Sequence, residues 1–333
     1  MRQVTYNDSI SDLEIHPPGT YQPFRELARE SAFVLDRSQF VELTECPACG
    51  SQEITPAFDK WRFHYAECQQ CSSLFVSNRP NLSQLSWYLN ESPAALYRQS
   101  SSYMQTMQTN YERLSAYRAS WIDSIAIRIP KRKTISILDL ETRSANFLTL
   151  LSQQAEWEVS SVAPRFAAES DEQSRAYDFL DDVNDESVSI LTAFDILEHQ
   201  YSPRKFFETI RKKLQSGGFL LMTTRVGSGF DIQILGEYCP TIVPIEHLNL
   251  LSVEGIKLLL REHNLSIFEI STPGQLDVET VAATYQQTPE LVLPKSVRYF
   301  FDNRDDLAKQ NLQQFLQANL LSSHLRLVAQ KKD

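Results

Sequence analysis

Four of the chain's five cysteines fall into two tight pairs, Cys46-Pro-Ala-Cys49 and Cys68-Gln-Gln-Cys71, with 18 residues between the pairs. Two residues between cysteines let both thiolates of one turn reach a single tetrahedral ion at about 2.3 Å, and this separation of the turns is that of a four-thiolate zinc ribbon. Four protein ligands leave no open position for water, so the spacing points to structural rather than catalytic zinc; free or redox-active thiols are the other reading. An odd number of cysteines argues against a disulfide framework. Cys239 stands alone and reads as a small, inert residue. Gly50 follows the first turn, where a left-handed residue is expected, whereas Ser72 follows the second, which predicts a less regular turn. A module this small has little core of its own, so metal should hold it together, and its loss is expected to leave the rest of the chain folded.

With 333 residues, the chain has room for one full domain and one or two smaller ones. Lysine and arginine number 32 against 42 acidic residues, a net charge of −10, which disfavours binding to nucleic acid because that binding neutralises phosphates with cations. The Lys131-Arg-Lys133 run reads as the solvated start of a strand. No apolar run approaches the ~18 residues of a membrane span, and the N-terminus lacks the apolar stretch of a signal peptide. The expectation is a cytoplasmic protein with no membrane span and no nucleic-acid partner.

The chain divides into an N-terminal extension (1–45), the zinc ribbon (46–85), a helical connector (86–130) and an α/β domain (131–333). In the connector, Met107, Tyr111, Leu114, Trp121 and Ile125 recur at helical spacing, predicting a helix from Met104 to about Ile129 that Pro130 ends. From Lys133 the pattern alternates strand and helix. Ile135 to Leu140, Trp157 to Ala163, Ser187 to Phe194, Phe219 to Thr223, Leu265 to Ile270 and His324 to Ala329 read as strands. Helices are predicted after Phe147, after the Ser202-Pro203 cap up to Gly217-Gly218, and from Ser252 to about Glu262. Such alternation implies a doubly wound, mostly parallel sheet. A helical insertion at about 275–322 precedes the last strand, where it is expected to form a lid or substrate wall.

Three pieces, Ile137-Leu-Asp-Leu140, Phe194-Asp-Ile-Leu-Glu-His199 and Leu214-Gln-Ser-Gly-Gly-Phe-Leu-Leu-Met222, resemble the first strand, the end of the fourth and the approach to the fifth in class I S-adenosylmethionine-dependent methyltransferases. With the ribbon in front and Pro244-Ile-Glu-His-Leu-Asn-Leu-Leu-Ser252 behind, the chain is similar to the zinc-ribbon methyltransferases of bacterial sugar and polysaccharide pathways. The resemblance implies a Rossmann-like methyltransferase sheet, S-adenosylmethionine as cofactor, and a small-molecule or glycan substrate. It also implies that Asp139 and Phe194 lie at the cofactor, and that Glu141, Arg143 and Ala145 occupy the loop where the family has Gly-x-Gly-x-Gly. Ala163 stands where the family has the acid that binds the ribose. Each loop replacement adds at least a Cβ where cofactor and backbone should meet.

On the acceptor side, the resemblance implies that Glu246 orients His247 as a base against the substrate, that His199 lies near them at the sheet's C-terminal edge, and that Tyr97 is close to substrate. Two functional readings follow. One is an enzyme that transfers methyl from S-adenosylmethionine to a sugar, sugar nucleotide or polysaccharide precursor; the other is a silent relative that binds a protein partner or a glycan.

Overall fold

The computed structural model describes residues 2–3, 18–129, 134–140, 145–162, 175–177 and 180–332. Pro130, the Lys131–Lys133 run, Glu141, Arg143 and Ala163 lie outside the described residues. The first part contains β1 (Arg2–Gln3), α1 (Pro18–Phe33) and the strands of the cysteine module: β2 (Val41–Glu42), β3 (Ile54–Lys60), β4 (Phe63–Cys68), β5 (Leu74–Val76) and β6 (Asn78–Arg79). The connector is three helices, α2 (Leu82–Asn90), α3 (Pro93–Gln99) and α4 (Ser101–Ala126). The side chains of Asn81, Ser92 and Ser100 each accept a first-turn N–H and so start the three helices, the last of which takes in most of the helix that periodicity reads from Met104 to about Ile129.

The α/β part runs β7 (Ile135–Leu140), α5 (Ala145–Ser152), β8 (Trp157–Val162), β9 (Arg175–Tyr177), β10 (Val188–Phe194), α6 (Pro203–Lys213), β11 (Leu214–Arg225), α7 (Phe230–Leu235), β12 (Asn249–Leu250), α8 (Val253–Glu262), β13 (Leu265–Ser271), α9 (Asp277–Gln287), α10 (Lys295–Asn303), α11 (Asp306–Ala318) and β14 (His324–Lys331). The main sheet has the order β1-β13-β14-β11-β10-β7-β8-β9. β14 is antiparallel to both of its neighbours, and the other pairings are parallel. The strand reverses its neighbours' direction because the insertion α9–α11 returns the chain to the edge at which β13 ended. β7, β10 and β11 are buried almost throughout and read as continuous apolar runs, as strands covered on both faces should.

Gly217 and Gly218 do not stop a helix ahead of a separate strand. They lie inside β11, which starts at Leu214, where the register with β10 slips between Val188 and Ile190. Gly217 takes φ of +74°, and a Cβ on Gly218 would come within 2.9 Å of the Gln215 carbonyl oxygen and 3.0 Å of that of Val188. The pair builds a bulge, a use of glycine that sequence spacing does not separate from a helix stop.

The cysteine module is not an independent unit. Its sheet has the order β12-β5-β4-β3, so Asn249–Leu250, more than 170 residues downstream, supplies an edge strand. Cys46, Ala48, Cys68 and Cys71 share a buried cluster with Leu197, Phe207, Leu251 and Ile256. The buried Arg79 guanidinium joins the two parts: it donates to the carbonyls of Val76 (2.9 Å), Tyr201 (2.8 Å) and Leu248 (3.1 Å) and to Asn249 Oδ1 (2.6 Å). Arg79→Met keeps the apolar stem and takes the donor from the Val76 and Tyr201 carbonyls and from Asn249 Oδ1, each worth about 1–3 kcal/mol, while the Leu248 carbonyl keeps the Val76 N–H at 2.9 Å. Urea unfolding should show a loss of about 3 kcal/mol or more; a loss below about 1 kcal/mol would contradict this role.

Candidate active site

The C-terminal ends of β7, β10 and β11 open onto a cavity of about 800 Å³, within the ordinary range for small-molecule sites. Its walls come from α1, α4, the strand ends, the segment before β12 and the first turn of α9. The cavity has two chemically different ends.

At one end lie Asp139 and Leu140 from β7, Phe147 from α5, Trp121 from α4 and Phe194-Asp195 at the end of β10. Phe194 packs edge-on to Phe147 at 6.1 Å between ring centres and tilted against Trp121 at 5.9 Å. Thr192 donates its hydroxyl to Asp139. Asp195 sits at φ of +57°, and its carboxylate accepts from the Thr223 hydroxyl (2.8 Å) and from Arg118 (2.8 Å), whose guanidinium lies 4.5 Å from the centre of the Phe194 ring. Burial pushes the Asp195 carboxyl up, but Arg118, His324 and the Thr223 hydroxyl outweigh it and hold it ionised. The buried Trp121 indole N–H has no hydrogen-bond partner among the described residues.

At the other end, His199 and His247 both line the cavity, with ring centres 6.0 Å apart and ring planes 27° from parallel. His199 is held by its Nδ1, which donates to the carbonyl of Glu246. The Glu246 carboxylate touches neither imidazole through a hydrogen bond. It is taken by Arg98, through both guanidinium Nη atoms, and by the Tyr88 hydroxyl at 3.2 Å. The sequence expectation that this carboxylate orients His247 is therefore replaced: the Val243 N–H orients His247 by donating to its Nδ1 at 2.9 Å. Tyr97 does not line the cavity. Its hydroxyl donates to the Thr20 carbonyl at 3.3 Å, and it packs on Tyr103, which does line it.

Several lining residues carry no motif. Arg98 is one step past Tyr97 on α3; Arg225 ends β11 and donates to Thr241 at 2.9 Å; His324 begins β14; Thr20, Tyr21 and Phe24 come from α1. The last three bring the N-terminal extension, in which the sequence shows no motif, into the cavity wall. Pro273 to Asp277 and Thr280 bring the start of the insertion against the cavity, while α10 and α11 expose Tyr299 and Phe315 away from it. Ala145 begins α5, at the mouth of the loop whose other positions lie outside the described residues.

Burial, then the Arg225 guanidinium and the His199 ring, hold the His247 imidazole well below the ordinary histidine range. The unfolded chain therefore binds a proton below pH 6.5 that folded His247 refuses, so this group's stabilisation is complete above that pH and is lost as pH falls. The Asp231 carboxyl, pushed up to about 7 by burial and Asp277, acts with the opposite sign, so the comparison must be between variants. His247→Gln should make the loss of stability between pH 7 and 5.5 shallower, by up to about 1.4 kcal/mol per pH unit, when unfolding is followed at both ends. Parallel slopes would contradict the neutral state of this ring.

The four thiol sulfurs of Cys46, Cys49, Cys68 and Cys71 lie within 4.8 Å of one another, close to the spacing of about 3.8 Å that a tetrahedral S4 zinc site demands. Gly50 and Ser72 both adopt left-handed backbone, at φ of +73° and +55°, and each N–H returns to the carbonyl of the leading cysteine, at 2.9 and 2.8 Å. The second turn thus repeats the first, contrary to the expectation from its missing glycine; the serine absorbs strain of about 1 kcal/mol. The Ser252 cap of α8 accepts from Gly255 N–H and donates to the Cys71 carbonyl, tying the cluster to the α/β domain. Chelation should therefore lower the midpoint of a single cooperative thermal transition and weaken ligand binding at the cavity together. An unchanged cavity after chelation would contradict the shared sheet.

Residues 107–270 match the family described as methyltransferase domain. No curated protein matches the sequence. Among solved structures, phosphoethanolamine N-methyltransferase 2 of Haemonchus contortus is 17% identical over 78% of this chain and 63% of that one, with a TM-score of 0.47. Geranyl diphosphate C-methyltransferase of Streptomyces coelicolor A3(2) is 12% identical over 70% of this chain and 85% of that one, with a TM-score of 0.45. The segment 107–270 is matched by the methyltransferase-domain family, and the chain's fold is the α/β fold of class I methyltransferases.

Proposed function

We propose that the chain transfers a methyl group from S-adenosylmethionine to an oxygen-rich small molecule, a sugar, sugar nucleotide or polysaccharide precursor, within the one cavity, and that its four-cysteine cluster holds a structural zinc ion. The observation that carries the reading is the continuity of the cavity: Asp139, Phe147 and Phe194 at one end share it with His199, His247 and Tyr103 at the other. The first end fits the cofactor. It offers a carboxylate, an aromatic wall and a buried indole donor, in a space large enough for an adenosine and its amino-acid tail.

When bound, S-adenosylmethionine supplies an electrophilic methyl carbon. Asp139, Phe147, Phe194 and Trp121 would hold it. The second end orients the acceptor and manages its proton. The Arg98–Glu246 pair fixes the backbone on which the imidazoles depend, while Tyr103 and Arg225 add polar groups for hydroxyls. The α1 helix and the insertion close the walls and limit access of water, which would otherwise compete for the methyl group.

The loop sequence Glu141-Thr-Arg-Ser-Ala145 and Ala163 supply none of the glycines or the ribose-binding acid of the resembling family, so affinity for the cofactor should be modest. Calorimetry should give a dissociation constant of about 100 μM or weaker, following the loss of about 2–3 kcal/mol of contacts. Replacing Glu141, Arg143 and Ala145 by glycine and Ala163 by aspartate together should tighten it at least about tenfold. A nanomolar constant for the natural chain would contradict this account of the loop, and no binding of either chain at millimolar cofactor would overturn the methyl-transfer reading.

A further inference from the structure

The two cavity histidines are held in opposite tautomers. A carbonyl oxygen has no proton to give, so His199 Nδ1, bonded to the Glu246 carbonyl, must carry the proton, and the neutral ring keeps its lone pair on Nε2. A backbone amide nitrogen has no lone pair to offer, so His247 Nδ1, bonded to the Val243 N–H at 2.9 Å, must be the unprotonated nitrogen, and the neutral ring carries its proton on Nε2. Both constraints come from the main chain, so neither ring can exchange roles without breaking its anchor. The anchors are also linked: Val243 N–H, the Glu246 carbonyl and His247 itself belong to one turn, in which the Glu246 and His247 N–H groups return to the Val243 carbonyl at 3.0 and 2.8 Å.

We propose that His199 is the proton acceptor of the site and His247 its neutral hydrogen-bond donor, the reverse of the roles that the Glu246-His247 pair implies by resemblance.

The surroundings support the division. His199 has the carboxylates of Asp195 and Glu198 around it and the His247 ring beside it. His247 faces the cations Arg225 and Lys60 as well as His199, all of which resist a second proton on its ring. The acceptor such a pair suits has a protonated oxygen or carbon beside a second oxygen, as in a vicinal diol or a hydroxy-ketone. As the acceptor atom bonds to the methyl carbon, its proton passes to His199 Nε2. The S–CH3 bonding pair stays on sulfur, converting the sulfonium donor to a neutral thioether. The His247 Nε2–H meanwhile donates to the neighbouring oxygen. The acceptor chemistry rests on the methyl-transfer reading; the tautomers do not.

The test begins with imidazole 15N–1H correlation spectra of the full chain, which has six histidines, assigned with the single variants His199→Gln and His247→Gln. The expected spectrum shows a protonated Nδ1 and bare Nε2 for His199, and the opposite for His247. A protonated Nδ1 on His247, or a protonated Nε2 alone on His199, overturns the proposal without reference to activity. With a working acceptor, His199→Ala should lower kcat by about a hundredfold or more and abolish the acidic limb of the pH profile, whereas His247→Gln, which keeps an N–H, should retain that limb and lose about tenfold or less. The converse pattern overturns the assignment. Tautomers as expected with no methyl transfer to any acceptor would support the ring assignment and count against the methyl-transfer reading alone.

Discussion

A buried guanidinium with no carboxylate partner among the described residues holds this molecule's working parts in register. Taking a charge out of water is costly unless its protons find acceptors, and Arg79 makes four hydrogen bonds, one to Asn249 and three to main-chain carbonyls drawn from the end of β5, the loop behind His199 and the loop behind His247. Burial pushes the group down to about 10, still well above neutrality, so the charge persists in the interior. Asn249 completes the arrangement, accepting from Arg79 and donating to the Gln200 carbonyl at 2.6 Å. The planar, many-toothed guanidinium can satisfy these diverging carbonyls at once, which a lysine ammonium on a flexible stem does less well. The two histidine loops are thus set by a residue that never enters the cavity.

The same logic explains why the cysteine cluster belongs with the active site rather than beside it. β12 completes the ribbon sheet immediately after the Glu246-His247 turn, and Ser252 then caps α8 against the Cys71 carbonyl. Along the chain, then, the Glu246-His247 turn, the edge strand of the cysteine module's sheet and the helix cap at the Cys71 carbonyl follow within seven residues. The four-cysteine cluster at one end and a bonded arginine at the other clamp this short segment, and rigid support is what places functional groups to within a fraction of an ångström.

Much of this was legible in the residues. The apolar runs gave the central strands because β7, β10 and β11 are buried on both faces, and the Ser202-Pro203 and Ser252 caps located their helices because capping is a local interaction. The two Cys-x-x-Cys turns announced their cluster for the same reason. What escaped was non-local or ambiguous in kind. Glycine at 217 and 218 signals a break without saying whether a helix stops or a strand bulges, and no spacing rule connects Asn249 to Phe75. Arg79 looks like any surface arginine until its carbonyl partners are seen. At the site, His199, Glu246 and His247 stood out by motif, but the Glu246 carboxylate's turn toward Arg98, and the anchoring of both rings by main-chain atoms, depend on a backbone conformation that side-chain patterns do not encode.

The central claim is that donor and acceptor meet in one continuous cavity between Asp139 and the histidine pair. The most direct measurement is a crystal structure of the full chain with S-adenosylhomocysteine. The account predicts the nucleoside against Phe147 and Phe194, with the thioether sulfur facing the space in front of His199 and His247. A ligand bound elsewhere on the chain, or a sulfur turned away from the two imidazoles, would contradict it.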